Sequence, residues 1–303
     1  MYNISICIPT YKREDMLKQL LDSIKLCRID ESLINEINIV VVDNDVDKTA
    51  EKLIGFLKKP GDKLFQLHYN SYAVKGLANV RNELIDIALQ FKPDFIVFID
   101  DDEFVTENWL NELLITIIAN NADAARGPVF TKLMNSVPKS VDYLLKRENY
   151  KNNTQLATWT TGNLILRRTS LEKYKVRFDK RFNSTGSEDT FFGRQMAQKG
   201  ATIFWAANAI AYEMIPEKRT KINWFIARAY RGAGTYIYIL KLEKEYLKIA
   251  NKVLISIVYI LFGLFTSIFI FLPYKEKYWG VLKIADGIGA LAGLFNFHYN
   301  EYE

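Results

Sequence analysis

Short apolar stretches alternate along the first 120 residues with stretches in which apolar residues recur every three or four positions. Residues 4–8, 37–42, 64–69 and 95–99 have the β-branched, near-continuous apolar character of strands buried on both faces. Between them, Met16, Leu17, Leu20, Leu21 and Ile24 repeat at helical spacing, as do the apolar positions of 50–57, 76–89 and 109–118, with Pro60-Gly61 ending the second of these helices. Strand and helix in strict alternation predict a parallel, doubly wound α/β sheet. The pattern then loosens. Residues 126–130 read as a strand, 135–156 as a polar, mobile loop, and 159–168 as a Gly162-Asn163 turn followed by the apolar run 164–166. Ser187 is the expected N-cap of a helix running to Lys199, strands follow at 201–205 and 209–213, and 221–247 reads as one long helical region.

The tail has a different pattern. Residues 253–274 are 22 positions without a charge. At about 1.5 Å per residue that length matches a bilayer core of ~30 Å. Lys241, Lys244, Lys248 and Lys252 precede the run, and Lys275, Lys277 and Lys283 follow it. Basic flanks suit either a helix that crosses the membrane or one that dips into a leaflet and returns near Gly263 or Pro273; a buried soluble helix is the remaining reading. The expected division is a domain over 1–220 and a helical region over 221–303.

Composition adds boundaries. A chain of 303 residues that is 49% hydrophobic and 25% charged supports a large core. The net charge of +5 is too mild to imply nucleic acid, and none is expected as a partner. Cys7 and Cys27 provide neither a disulfide framework nor zinc spacing, which suits a reducing compartment. No charged and apolar leader precedes the first strand, so no cleavable signal peptide is expected.

Chemistry gathers where strands end. The run Phe95-Ile-Val-Phe-Ile passes straight into Asp100, Asp101, Asp102 and Glu103. Carboxylates at the C-terminal edge of a parallel sheet stand where such sheets place ligands, and they suit a hard divalent cation that neutralises a diphosphate. A solvated acidic loop is the plainer alternative. Asp101 alternates to the opposite side from Asp100 and Asp102 along extended backbone, which points to a structural role. Glu188 and Asp189 open a helix, where the dipole favours ionised carboxylates; that also explains them without catalysis.

Taken together, these stretches resemble family 2 glycosyltransferases of the GT-A fold, in particular bacterial exopolysaccharide enzymes of the succinoglycan type. The matching text is Ile6-Cys-Ile-Pro-Thr-Tyr-Lys-Arg13, Val40-Val-Val-Asp-Asn44, Gly76-Leu-Ala-Asn-Val-Arg-Asn82, Phe98-Ile-Asp-Asp-Asp-Glu103 with Trp109-Leu110, Thr161-Gly-Asn-Leu164, Gly186-Ser-Glu-Asp-Thr-Phe-Phe192 with Arg194, and Glu213 with Pro216 and Arg219. Gly289-Ala-Leu-Ala-Gly293 and Tyr299-Asn-Glu-Tyr302 look like the ending of that subgroup.

The resemblance implies a Rossmann-like, mostly parallel sheet flanked by helices, a membrane-associated helical tail and an inverting sugar transfer. Pro9, Thr10, Arg13, Asp43, Arg81, Asp100 and Asp101 are then the expected nucleotide-sugar contacts, with Asp43 on the base of a UDP-sugar. Asp102, with Asp100 and Glu213, is expected to hold Mn²⁺ or Mg²⁺; Glu213 stands where many relatives carry a histidine, and His68 and His298 are the only histidines here. Asp189 is the expected general base, Gly162, Asn163, Glu188 and Trp159 the sugar or acceptor contacts, and Arg219 and Arg231 the groups screening the diphosphate. Trp205 is a weaker candidate for sugar stacking. The expected acceptor is a lipid-linked saccharide, at the cytoplasmic face of a bacterial inner membrane, and a homo-oligomer stays open. The competing expectations are an inactive nucleotide-sugar-binding or scaffold protein, a nucleotidyltransferase, which Pro9-Thr-Tyr-Lys12 disfavours because it is no Gly-rich phosphate loop, and a membrane protein with a soluble head.

Overall fold

The computed structural model describes residues 1–58, 64–133, 135–272 and 274–297. Pro60, Gly61, Pro273, His298 and the stretch 299–302, which entered the sequence reading, lie outside the described residues. The chain forms two compact units, one of Met1–Phe130, Arg147–Asn183 and Glu188–Glu213, the other of Thr131–Lys146, Ser184–Ser187 and Met214–Glu303.

The first 119 residues run β1 (Tyr2–Thr10), α1 (Glu14–Lys25), β2 (Ile34–Asp43), α2 (Glu51–Leu57), β3 (Phe65–Ser71), α3 (Leu77–Gln90), β4 (Phe95–Phe98), β5 (Glu103–Val105) and α4 (Trp109–Ala119). Next come β6 (Ala124–Arg126), β7 (Val129–Leu133), α5 (Lys139–Leu145), β8 (Leu164–Arg167), α6 (Arg168–Tyr174), α7 (Glu188–Gln198), β9 (Ile203–Trp205) and β10 (Ala211–Ile215). The main sheet has the order β3-β2-β1-β4-β8-β6-β9. Strands β1 to β4 pair in parallel, β8 is antiparallel to both β4 and β6, and β9 is parallel to β6.

Alternation explains why these strands are apolar throughout. Ile4, Ile6 and Ile8 belong to the core on one face with Leu17, Leu21 and Leu113, while Cys7, Val40 and Val42 belong to the other with Ala78, Leu84 and Phe192. Side chains of both parities are therefore buried, which removes any polar face. The chain steps from β1 to β2 to β3, then returns across β1 to β4. That reversal is a topological switch point, and sheets of this kind have their ligand crevice there, at the strands' C-terminal ends. Cys7 pairs with Phe98, so Pro9-Thr10 and the Asp100 turn leave the sheet side by side.

Several details differ from the sequence reading. The strand expected at 126–130 is two, β6 and β7, separated at Gly127-Pro128, where proline has no N–H for a ladder. The stretch 135–156 contains α5 rather than only a loop. Ser187 has φ 71°, outside the extended range of an N-cap, and the helix it precedes ends at Gln198. A smaller sheet has the order β5-β10-β7, and in it Glu103 lies directly opposite Glu213.

In the second unit, Val141 and Leu145 of α5 share a core with Ile215 and Phe225. The long region expected at 221–247 is α8 (Ile222–Leu242), broken at Lys244 with φ 59°, and then α9 (Tyr246–Ser267) begins. A 3₁₀ turn, Ile268–Phe271, follows α9, and α10 is Trp279–Leu294. Glycines set the approach of these helices: a Cβ on Gly289 would stand 2.0 Å from the Tyr230 carbonyl oxygen of α8, and one on Gly280 would stand 2.8 Å from the Gly263 carbonyl oxygen of α9.

Candidate active site

The acidic turn after β4 divides its side chains between support and crevice. Asp101 is buried; Thr10 Oγ1 donates to its Oδ2 at 2.9 Å, and Arg13 Nη1 donates to its Oδ1 at 3.0 Å. Asp101 thus ties the exits of β1 and β4 together, as its alternation suggested. Arg13 also donates to Asp102 Oδ2 at 3.1 Å. Burial, then the charges of Asp100, Glu213 and Asp101, push Asp102 up to about 7 against the pull of Arg13. Asp100 is more exposed and accepts from Arg81 Nη2 at 3.0 Å.

Arg81 links two parts of the chain far apart in sequence. It is buried on the first turns of α3 and pairs with both Asp100 and Glu188, the first residue of α7. Burial raises Glu188 to about 7, opposed by Arg81 and assisted by Asp189. Asp189 follows in the same turn, half-buried, with Oδ1 accepting from the Thr190 N–H at 2.6 Å. Its charge acts on Arg126, whose guanidinium lies 5.7 Å from the Trp205 ring centre.

The wall beyond the turn concentrates like charge. Glu103 and Glu213 are cross-strand neighbours, a destabilising pairing for two carboxylates. Arg147 pairs with Glu213. Glu103 is buried, and its Oε2 has no hydrogen-bond partner among the described residues. Burial, then Asp100, Asp102 and Glu213, raise it well above the ordinary carboxylate range. The sequence singles out Glu103 only as one of four acids in its run and assigns no role to Arg126 or Arg147, which nothing local marks.

Residues 5–175 match glycosyl transferase family 2, and residues 95–284 match glycosyl transferase family group 2. The chain belongs to glycosyl transferase family 2. This glycosyltransferase is 29% identical over 237 residues to the succinoglycan biosynthesis protein ExoM of Rhizobium meliloti (strain 1021), spanning 77% of the present chain and 74% of that one. It is 24% identical over 193 residues to the poly(ribitol-phosphate) beta-N-acetylglucosaminyltransferase TarS of Staphylococcus aureus (strain MW2), spanning 63% of this chain and only 32% of that one. Among solved structures, S. aureus TarS 1–349 in complex with UDP-GlcNAc matches with a TM-score of 0.58 at 16% identity, over 98% of this chain and 73% of that one. GalNAc-T7 with UDP, GalNAc and Mn²⁺ matches with a TM-score of 0.55 at 15% identity, over 71% of this chain and 44% of that one. These likenesses show the GT-A fold.

Within the glycosyltransferase the expected residues separate into groups. Thr10, Arg13, Asp101 and Asp102 form one hydrogen-bonded cluster and Arg81, Asp100 and Glu188 a second, the two joined by the chain at Asp100-Asp101, and Pro9 sits at the end of β1 beside them. Trp159, expected at the sugar, is buried against α7, where a Cβ on Gly193 would come within 2.0 Å of the Trp159 Cβ, and it supports the helix that carries Glu188 and Asp189. Trp205 is likewise buried, with Tyr150 edge-on against it. Asn163 is fully buried, accepting from Trp109 Nε1 at 2.6 Å and donating to the carbonyls of Pro128 and Ala209, so its amide is spent on the fold. Gly162 faces Glu103, 3.3 Å from where its Cβ would be.

Asp43 is also fully buried. Its oxygens accept from the N–H groups of Asp45 and Ala50, each at 3.0 Å, and from the Tyr69 hydroxyl at 3.1 Å. The carboxylate organises the turn after β2 and presents no exposed edge to a base. Asn44 continues that role, donating to the Tyr72 and Val74 carbonyls and accepting from the Gly76 N–H. Arg219 and Arg231 belong to the second unit, on the 3₁₀ turn Glu217–Thr220 and on α8.

No three His, Cys, Asp or Glu side chains stand together as a ready-made metal cage among the described residues. The expected triad of Asp100, Asp102 and Glu213 is instead divided among Arg81, Arg13 and Arg147. The donor chemistry still fits a hard divalent cation: Glu103 Oε2 is buried without a partner, and Asp102 feels three carboxylates. One or two protein carboxylates, completed by phosphate oxygens and water, are a common way to bind such an ion.

Proposed function

We propose that this glycosyltransferase moves a sugar from a UDP-sugar to a saccharide acceptor carried on a membrane lipid, in one inverting displacement assisted by Mn²⁺ or Mg²⁺. The observation that carries the reading is the connected set at the switch point, in which Arg81 joins the acidic turn after β4 to the Glu188–Asp189 turn of α7. Donor-binding and base-bearing segments are thereby held in one network. The relatives' names, a succinoglycan biosynthesis protein and a poly(ribitol-phosphate) transferase, favour surface-polysaccharide synthesis.

In this reading Asp102, with Glu103 or Glu213, holds the cation. The bound cation would neutralise charge developing on the leaving diphosphate. Thr10 and Arg13 position Asp101 and Asp102, and Asp100 reaches toward the ribose. Asp189 accepts the proton of the attacking hydroxyl, and Glu188, steadied by Arg81, orients sugar or acceptor hydroxyls. Gly162 lets the backbone approach Glu103 closely, where a side chain would crowd that carboxylate. The catalytic region extends over about 1–220, and the tail from 221 keeps the enzyme on the cytoplasmic face of the bacterial inner membrane, which raises the local concentration of a lipid-borne acceptor.

The test is a panel of UDP- and GDP-sugars with Mn²⁺. Slow hydrolysis of one UDP-sugar, abolished by EDTA, supports the proposal. Metal-dependent UDP binding with no turnover on any donor, even with lipid-linked acceptor present, would favour a nucleotide-sugar-binding protein. Neither binding nor turnover overturns the reading.

A further inference from the structure

The helices of the second unit carry information on how the chain meets a membrane. The stretch Tyr246–Phe271 is long and apolar enough to cross one: its most apolar window has a mean hydropathy of 2.6 and is only 11% buried. Its exposed apolar side chains cover about half of the helix surface, centred on Leu247, Leu254, Val258, Leu261, Phe265 and Ile268 and reaching Ile255 and Leu264 at the margins. The opposite face packs on α10, where Ser256 and Gly263 are buried against Gly287 and Gly280. Between these two faces runs a polar edge. Lys252 Nζ donates to Asp286 of α10 at 2.6 Å, and Lys283 Nζ stands 4.1 Å from the Tyr259 ring centre. Lys248 continues the edge toward the start of the helix and Thr266 toward its end.

The exposed apolar face and the face packed on α10 lie on opposite sides of the helix, and its own charges, Lys248 and Lys252, stand in its first two turns. Upright insertion would carry α10 into hydrocarbon, since the two helices are packed through their glycines, and with it Lys283 and Asp286. Charges carried into hydrocarbon are costly, which disfavours that orientation. The lysines at both ends and along the edge, Lys244, Lys248, Lys252, Lys275, Lys277 and Lys283, outnumber Glu243, Glu245, Glu276 and Asp286, and favour anionic headgroups.

We propose that α9 lies flat in the headgroup–acyl boundary of one anionic leaflet and does not cross the bilayer. The inference rests on the proposed membrane association and fixes its geometry: apolar face toward the acyl chains, lysine edge at the headgroups, and α10 as the rigid backing.

The test uses the full-length protein and vesicles of phosphatidylcholine with or without phosphatidylglycerol. Cys7 and Cys27 are buried, so Leu254→Cys, Leu261→Cys and Ile268→Cys each introduce one accessible thiol for an environment-sensitive fluorophore. Quenching by lipids brominated at known depths then reports position. The expected result is binding that requires phosphatidylglycerol, with all three positions equally shallow. Leu261→Glu is expected to weaken binding at least about tenfold and leave the thermal midpoint unchanged, because Leu261 is exposed. Lys248→Gln is expected to weaken it about fivefold, as one lysine contributes ~1 kcal/mol near an anionic surface. A label at Leu261 much deeper than the other two overturns the flat geometry while membrane association stands. Absence of vesicle binding, with the labelled face protected in a dimer, overturns both. UDP-sugar hydrolysis measured on the same samples reports separately on the transferase reading.

Discussion

The crevice at the ends of β1 and β4 and the outer face of α9 depart in opposite directions from the ordinary partition of side chains. The crevice buries charge: Asp101, Asp102, Glu103, Arg81 and Glu188 are all withdrawn from water. The face of α9 exposes Leu254, Leu261, Phe265 and Ile268. Each departure costs free energy in an isolated protein. The difference teaches how a partner's chemistry is read from the cost. Buried like-charged carboxylates point to a cation and a diphosphate, whereas an exposed apolar face edged with lysine points to an anionic lipid surface.

That contrast breaks most severely at the proposed base. Asp189→Asn keeps shape and removes the proton acceptor, and turnover of the donor with acceptor is expected to fall about 10²–10⁴-fold while UDP affinity is unchanged; steady-state kinetics beside calorimetry separates the two. A comparable energy is at stake in Arg81→Ala, which leaves Glu188 buried without its partner. Removing one member of such a pair typically costs about 3–5 kcal/mol, so a lower thermal midpoint is expected along with lost activity. Glu103→Gln sharpens the comparison in the other direction. It relieves the like-charge pairing with Glu213, and the metal-free protein is expected to gain about 1–3 kcal/mol while Mn²⁺-dependent UDP binding weakens.

A smaller effect follows from titration. Asp102 and Glu188 are raised to about 7, so the folded protein binds these protons more tightly than the unfolded chain, whose carboxylates titrate near about 4. Their contribution to stability is complete below about 4 and is lost as pH rises to about 7. The thermal midpoint of the metal-free protein is expected to decline across that window, and Asp102→Asn to flatten the decline. An unchanged slope in that variant would count against the burial of Asp102.

The sequence revealed those parts of this design that depend on local pattern. Strands β1, β2 and β4 were visible because both faces are buried, and the acidic run marked the exit of β4. The direction of β8 was not, because an apolar run such as Leu164-Ile-Leu166 reads the same whether its partner is parallel or antiparallel. Trp159 and Asn163 were expected at the sugar; only the three-dimensional fold reveals Gly193 above one and two backbone carbonyls around the other. Arg147 reaches Glu213 from 66 residues away in a polar segment, a separation no spacing rule covers. The break between α8 and α9 at Lys244 was hidden for a similar reason: helix-favouring residues continue straight through it.

The most direct test of the central claim is calorimetric titration of UDP into the wild-type protein and Asp102→Asn, each with Mn²⁺ and with EDTA. The account predicts binding by the wild type that Mn²⁺ tightens at least about tenfold, and no such gain in Asp102→Asn. Equal UDP affinity in all four conditions would contradict it, because the buried carboxylates after β4 would then have no part in holding the diphosphate.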